Sequence, residues 1–168
     1  MADAAGNDLL QVLGDGTVST LAVFPDRMVR FHGQRIAMQA VPTSVVIGPD
    51  GAYYVGQLTG FPFPVGGARV YRVVPGQPPE IFARGFTNII DIAFDSSGNL
   101  YVMEIAHNGL LAKHPAGALI KRSPTGDQTS VVSGLFFPTS VALAGQGSIY
   151  FTNCGVCAGG GAVLKIRT

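Results

Sequence analysis

A chain of 168 residues is one ordinary domain by length, and 47% hydrophobic against 12% charged residues gives it material for a core and little tendency to disorder. Lys and Arg together number 11 against 10 Asp and Glu, a formal net charge of +1, which argues against a nucleic-acid partner because phosphate binding needs clustered net positive charge. No run of about 20 apolar residues offers a membrane-spanning helix, and the N-terminal "MADAAGNDLL" lacks the basic and apolar regions of a signal peptide.

With 23 Gly and 11 Pro, the longest segment free of both runs from Phe86 to Ser97. Glycine and proline disfavour helix interiors by about 1 and 3 kcal/mol, and a stable helix wants about a dozen compatible residues. The chain reads as all-β.

In chain order, Leu9 to Phe24 is a strand pair hinged on Gly-Asp-Gly, and Pro25 to Pro42 reads as a long connection. Ser44 to Gly56, "SVVIGPDGAYYVG", is a tight hairpin, and two near-copies follow: Asp91 to Met103, "DIAFDSSGNLYVM", and Ser140 to Thr152, "SVALAGQGSIYFT". Their hinge glycines are spaced by 47 residues (Gly51 to Gly98) and 49 (Gly98 to Gly147), and each second strand carries a tyrosine at the same place: Tyr54, Tyr101 and Tyr150. Asp-Gly and Ser-Gly turns suit hairpins because glycine accepts positive φ without a Cβ clash.

A further strand follows each hairpin, "GARVYRV", "GALIKRS" and "GAVLKIR", and after two of these come a turn and a fourth strand. A four-stranded unit (A to D) repeating at about 47 residues is the signature of a β-propeller blade. Strands such as "SVALA", apolar on both sides, fit a sheet covered on both faces. The expected layout is a blade remnant at about 8–24, blades at about 43–84 and 90–133, and an incomplete blade at 139–168, thirteen strands in all. Closed propellers need roughly 4–8 blades. The chain is therefore expected to be a fragment of a longer propeller, or one of two copies in a homodimer that completes a ring.

"VPTSVVIGPDGAYYVGQLTGFPFPVG" and "TNCGVCAGGG", with "GFTNIIDIAFDSSGNLYVMEI" between them, give the chain a likeness along essentially its whole length. It resembles the ScyD/ScyE family, bacterial β-propeller proteins named for the locus of scytonemin, an indolic-phenolic sunscreen pigment. The resemblance implies a six-bladed propeller of about twice this length, exported to the periplasm or beyond, with a link to secondary-metabolite biosynthesis.

Blade topology puts the tight A–B and C–D turns on one face and the long B–C loops and D–A connections on the other, where binding is expected. Gln57, Glu104 and Asn153 close the three B strands on that side. As a ring of oxygen donors they suit Ca²⁺ or a polar ligand; the plainer reading, that they satisfy backbone groups at strand ends, is favoured because only Glu104 brings charge. His107 and His114 share a loop with Glu104 and could supply acid–base chemistry or simply lie in solvent. Asp91 starts an A strand where the other repeats have Ser44 and Ser140, and is expected to face the channel.

His32 lies among Arg27, Arg30 and Arg35, a basic cluster suited to a carboxylate or phosphate, or a plain solvated loop. Phe61 and Phe63 offer stacking surface or packing. Cys154-x-x-Cys157 reads first as a local disulfide. A zinc site would need His107 and His114 to complete it, and a redox pair would lack a βαβ context.

No catalytic motif occurs. The leading expectation is a non-catalytic accessory propeller binding a small organic molecule or a protein on the B–C loop face. The alternative is a metal-dependent hydrolase or lactonase using Glu104 and Asn153 as ligands.

Overall fold

The computed structural model describes residues 1–145 and 147–167; Gln146, part of the third hinge expected from the sequence, and Thr168 lie outside them. Every regular element among the described residues is a strand. A small sheet holds β1 (Ala2–Asp3), β2 (Asp8–Val12) and β3 (Val18–Val23), and a separate hairpin holds β4 (Arg27–Phe31) and β5 (Gln34–Met38). The first complete blade is β6 (Pro42–Ile47), β7 (Tyr53–Gln57), β8 (Ala68–Val73) and β9 (Glu80–Phe86). The second is β10 (Ile89–Phe94), β11 (Leu100–Glu104), β12 (Gly117–Arg122) and β13 (Gln128–Leu135). A three-stranded sheet follows, made of β14 (Val141–Ala144), β15 (Ser148–Asn153) and β16 (Ala162–Arg167). Each sheet is an antiparallel meander in sequence order, the arrangement the glycine-hinged hairpins dictate.

Two features differ from the sequence reading. Residues 25–42 are not a plain connection: β4 and β5 pair from Arg27 opposite Met38 to Phe31 opposite Gln34. The turn between them is His32-Gly33, both at positive φ (47° and 81°), the geometry a two-residue hairpin demands. In addition, β1 adds a short strand to the first sheet, so the described residues hold sixteen strands.

The sheets stack face to face. Leu9 and Ala22 of the first sheet, with Phe24 just past its last strand, pack on Val55, Tyr71 and Val73 of the first blade. The first blade's Tyr54 and Val70 pack on Ile92, Leu100 and Val102 of the second. The second blade's Tyr101, Met103 and Leu119 then meet Val141, Ile149 and Phe151. Alternation explains why β7 and β11 are apolar up to their last residues: successive side chains serve opposite neighbours, Tyr54 one way and Val55 the other. Burying each such side chain is worth about 1.5–3 kcal/mol.

The repeated tyrosine is part of this device. Tyr54, Tyr101 and Tyr150 stand opposite Arg72, Lys121 and Lys165 on the neighbouring strands. Lys121 and Lys165 lie 5.7 and 5.1 Å over their rings, within cation–π range. Tyr54 and Tyr101 are buried by the blade that follows, whereas Tyr150, with no further sheet beyond it, is only half-buried. Apolar groups are exposed at both ends of the stack, Val12, Val18 and Val23 on one side and Val163 and Leu164 on the other.

Candidate functional site

The three B strands end side by side, and their last residues do related work. Just before each A strand the chain turns a corner through a left-handed residue: Val41, Asn88 and Phe137, at φ 52°, 47° and 43°. The corner carbonyls accept hydrogen bonds from Leu58, Ile105 and Gly155, just past the B-strand ends. This bend turns backbone N–H groups toward the B-strand side chains. Glu104 Oε1 accepts the Thr87 N–H at 2.7 Å, and Asn153 Oδ1 accepts the Phe136 N–H at 2.8 Å. Gln57 stands at the same place in the first blade, yet it is buried and neither of its side-chain polar atoms has a hydrogen-bond partner.

Glu104 differs from the other two in charge and in company. It is 1% exposed, and its second oxygen, Oε2, is in close contact with His107 Nδ1. Burial raises its pKa above the ordinary glutamate value, with the Thr87 N–H and His107 acting in the opposite sense. The His107 side chain is 56% exposed. Carboxylate and imidazole line a cleft of about 240 Å³ with Gly85, Ile120 and the β13 residues Gln128 to Ser130. A buried carboxylate linked to solvent through an imidazole can exchange a proton with a bound ligand or hold a polar group in a fixed orientation.

His114 is not part of this pair. It is exposed, and its backbone carbonyl accepts Asn108 Nδ2 at 2.8 Å, an internal brace of the β11–β12 loop. Asp91 sits on the innermost strand and ties two blades: its Oδ2 accepts the Ser140 hydroxyl and the Val141 N–H, at 2.8 and 2.9 Å. Cys154 and Cys157 are joined in a disulfide, with Cα atoms 5.3 Å apart. Phe61 is half-exposed, its ring centroid 4.8 Å from Phe31 of the hairpin and 6.3 Å from Phe63.

Of the three strand-end side chains, only Gln57 leaves calcium an oxygen without a hydrogen bond. Both Glu104 oxygens are engaged, Asn153 Oδ1 already accepts a backbone N–H, and among the described residues no three His, Cys, Asp or Glu side chains converge on one point. The disulfide likewise leaves no cysteine free for zinc.

Two buried residues of this region, Thr87 and Asn88, do not stand out in the sequence. Thr87 Oγ1 accepts the Gly66 N–H at 2.9 Å, while Asn88 donates to the Leu58 carbonyl at 3.0 Å and accepts from Leu110 N–H at 3.3 Å. Together they lock the first B–C loop to the second. The only signal was "TN" ahead of an apolar strand, since asparagine tolerates the left-handed corner.

A wider cleft, about 600 Å³, opens on the opposite face between the last two blades. Its one carboxylate, Asp95, is fully engaged by the Ser97 and Asn99 N–H groups and Asn99 Nδ2. That leaves the Glu104 cleft as the better-equipped site.

Comparison with solved structures agrees with this architecture. A provisionally named gluconolactonase superimposes with a TM-score of 0.63 at 14% identity, covering 92% of this chain and 51% of its own. The chain matches about half of a six-bladed β-propeller. Streptogramin B lyase, at 12% identity and a TM-score of 0.45, covers 98% of this chain and 63% of its own. Identity this low carries the fold and nothing of the activity. No family model matches the chain, and no curated protein matches it in sequence.

Proposed function

We propose that the chain belongs to a binding propeller of the ScyD/ScyE type, an accessory protein that takes a small organic ligand or a protein partner on its B–C loop face. The observation that carries this reading is the Glu104–His107 pair: a buried carboxylate aimed through an exposed imidazole into a cleft. No structural role requires a charge there, because Asn153 caps the equivalent backbone group without one. The Cys154–Cys157 disulfide supports an exported, periplasmic or extracellular setting. A connection to scytonemin-like secondary metabolism rests on the sequence resemblance alone.

The test is a binding screen by thermal shift against small polar and aromatic organic molecules, repeated with Glu104→Gln/His107→Ala. Any ligand of this face should bind the variant at least tenfold more weakly. Unchanged affinity for every hit would remove the face from consideration.

A hydrolase or lactonase is the second reading, favoured by the same pair as an acid–base couple and weakened as a metal enzyme by the missing third ligand among the described residues. Turnover of gluconolactone that requires added calcium would restore the metal-dependent form.

A homodimer closing the ring is also part of the proposal, under one constraint. Joining β14–β16 of one copy to β1–β3 of another brings six strands to a place where a complete blade holds four, so two strands must be displaced. Light scattering that gives twice the 17.5 kDa chain mass would support it.

A further inference from the structure

Arginine usually stands opposite an acid, but in the β8–β9 ladder Arg69 is the direct cross-strand partner of Arg84. Both side chains project from one face of the blade, a like-charge pairing that costs stability. The alternation of β8 identifies the face: Tyr71 and Val73 pack against the first sheet, and Arg69 shares their side. The hairpin brings a third guanidinium. Arg27, at the start of β4, donates through Nη2 to the Gly67 carbonyl at 2.5 Å, just ahead of β8, while its Nε is buried without a partner.

Among the described residues no acid lies within ion-pair distance of these three. Among the described residues the carboxylates that pair with an arginine, Asp50 and Glu80, both hold Arg72, which projects from the other face of β8. Burial first, and then repulsion from Arg69, draw the Arg27 pKa below its ordinary value. The hairpin's outer face carries a second like-charge pair, Arg30 opposite Arg35. Five of the chain's 11 cationic residues thus gather at this end of a molecule whose net charge is only +1, and Asp26 is the one acid in residues 25–42.

We propose that Arg27, Arg69 and Arg84 form a binding site for a doubly charged oxyanion, a phosphate or sulfate group, free or carried on a larger ligand. Guanidinium forks match the oxygens of such a group in bidentate geometry. A single carboxylate would leave most of the positive charge unanswered, whereas a dianion held by the Arg69 and Arg84 forks beside the Arg27 charge offsets the repulsion among the three. The site uses none of the residues of the Glu104–His107 pair, so it does not rest on the function proposed above.

The experiment measures the melting temperature and calorimetric binding of the whole chain with inorganic phosphate and with sulfate, against sodium chloride of matched ionic strength. Saturable stabilisation by both dianions and none by chloride is expected. Arg69→Gln/Arg84→Gln should bind phosphate at least tenfold more weakly, while melting without anion at the parent's temperature or above it because the repulsion is gone. Arg84→Lys, which keeps the charge and loses the fork, should bind several-fold more weakly and covers the case in which the double variant does not fold. Phenyl phosphate separates the two sources: binding as tight as phosphate assigns the site to an esterified ligand, and weaker binding assigns it to the free anion. An equal response to chloride, or variants that bind phosphate like the parent, would overturn the proposal.

Discussion

The Asp91 carboxylate reaches from one blade to the next, accepting the Ser140 hydroxyl at 2.8 Å and the Val141 N–H at 2.9 Å across 49 and 50 residues of sequence. It also accepts the N–H of its own neighbour, Ile92, at 2.9 Å. One short side chain therefore fixes where the innermost strand of the last sheet starts. In the preceding pair of blades Thr43 makes the related link, donating from Oγ1 to the Ile89 carbonyl at 2.8 Å.

Asp91→Ala should therefore loosen the last sheet. Hydrogen bonds to a charged group are worth about 1.5–3 kcal/mol each when a partner is lost, and partial exposure here puts the expected loss near 2 kcal/mol. Urea unfolding followed by tyrosine fluorescence measures it. A loss below about 0.5 kcal/mol, the range of ordinary surface substitutions, would show that the tie contributes nothing.

Glu104 gives the pH dependence. Its folded-state pKa lies above the ordinary value of 4.5, with burial as the main cause, so the fold favours the protonated form. That contribution is complete at acid pH and is lost as pH rises from 4.5 through the folded value. Glu104→Gln removes the titration, so the parent should lose stability relative to the variant as pH rises. Urea midpoints of both proteins between about pH 4 and pH 8 test this. A parent that gains on the variant with rising pH would reverse the sign and contradict the assignment.

Gln57 is buried with an amide that nothing satisfies. Replacing an unpaired buried polar group with an apolar one of similar shape is neutral or stabilising, so Gln57→Met should raise stability by up to about 1 kcal/mol. Destabilisation would instead reveal a partner for the amide, such as an internal water.

Gly56 lies where the first blade packs closely on the second. A Cβ there would lie 2.8 Å from Ser44 Oγ and 2.9 Å from Ile89 Cγ2, and a close-packed interface absorbs an extra methyl only by straining. Gly56→Ala should cost about 1–3 kcal/mol, read as a lower thermal midpoint.

How much of this was legible follows from the range over which each feature is encoded. The hairpins around Gly51 and Gly98 are local, so turn chemistry and the recurring tyrosine expose them directly, and the 47-residue repeat makes them blades. Strand ends at Gln57, Glu104 and Asn153 follow from that alignment. The β4–β5 hairpin was hidden because His32-Gly33 is an unusual turn pair and its strands mix arginines with apolar residues without strict alternation, which reads as a polar loop. Arg69 opposite Arg84 was unreadable for another reason: the β8–β9 register shifts twice, between Ala68 and Arg69 and between Val70 and Tyr71, and bulges leave no trace in a periodic pattern. The Glu104–His107 contact, three residues apart, was visible as a shared loop but not as a buried pair.

Separate sheets stack through side chains, with no backbone ladder between them among the described residues. Solution NMR can test this stacking. Nuclear Overhauser contacts are expected between the rings of Tyr54 and Phe94, whose centroids lie 4.8 Å apart across two blades, and strand-pairing backbone contacts should stop at β9 and resume at β10. Backbone contacts that run continuously from β9 into β10 as one sheet, with no Tyr54–Phe94 contact, would contradict it.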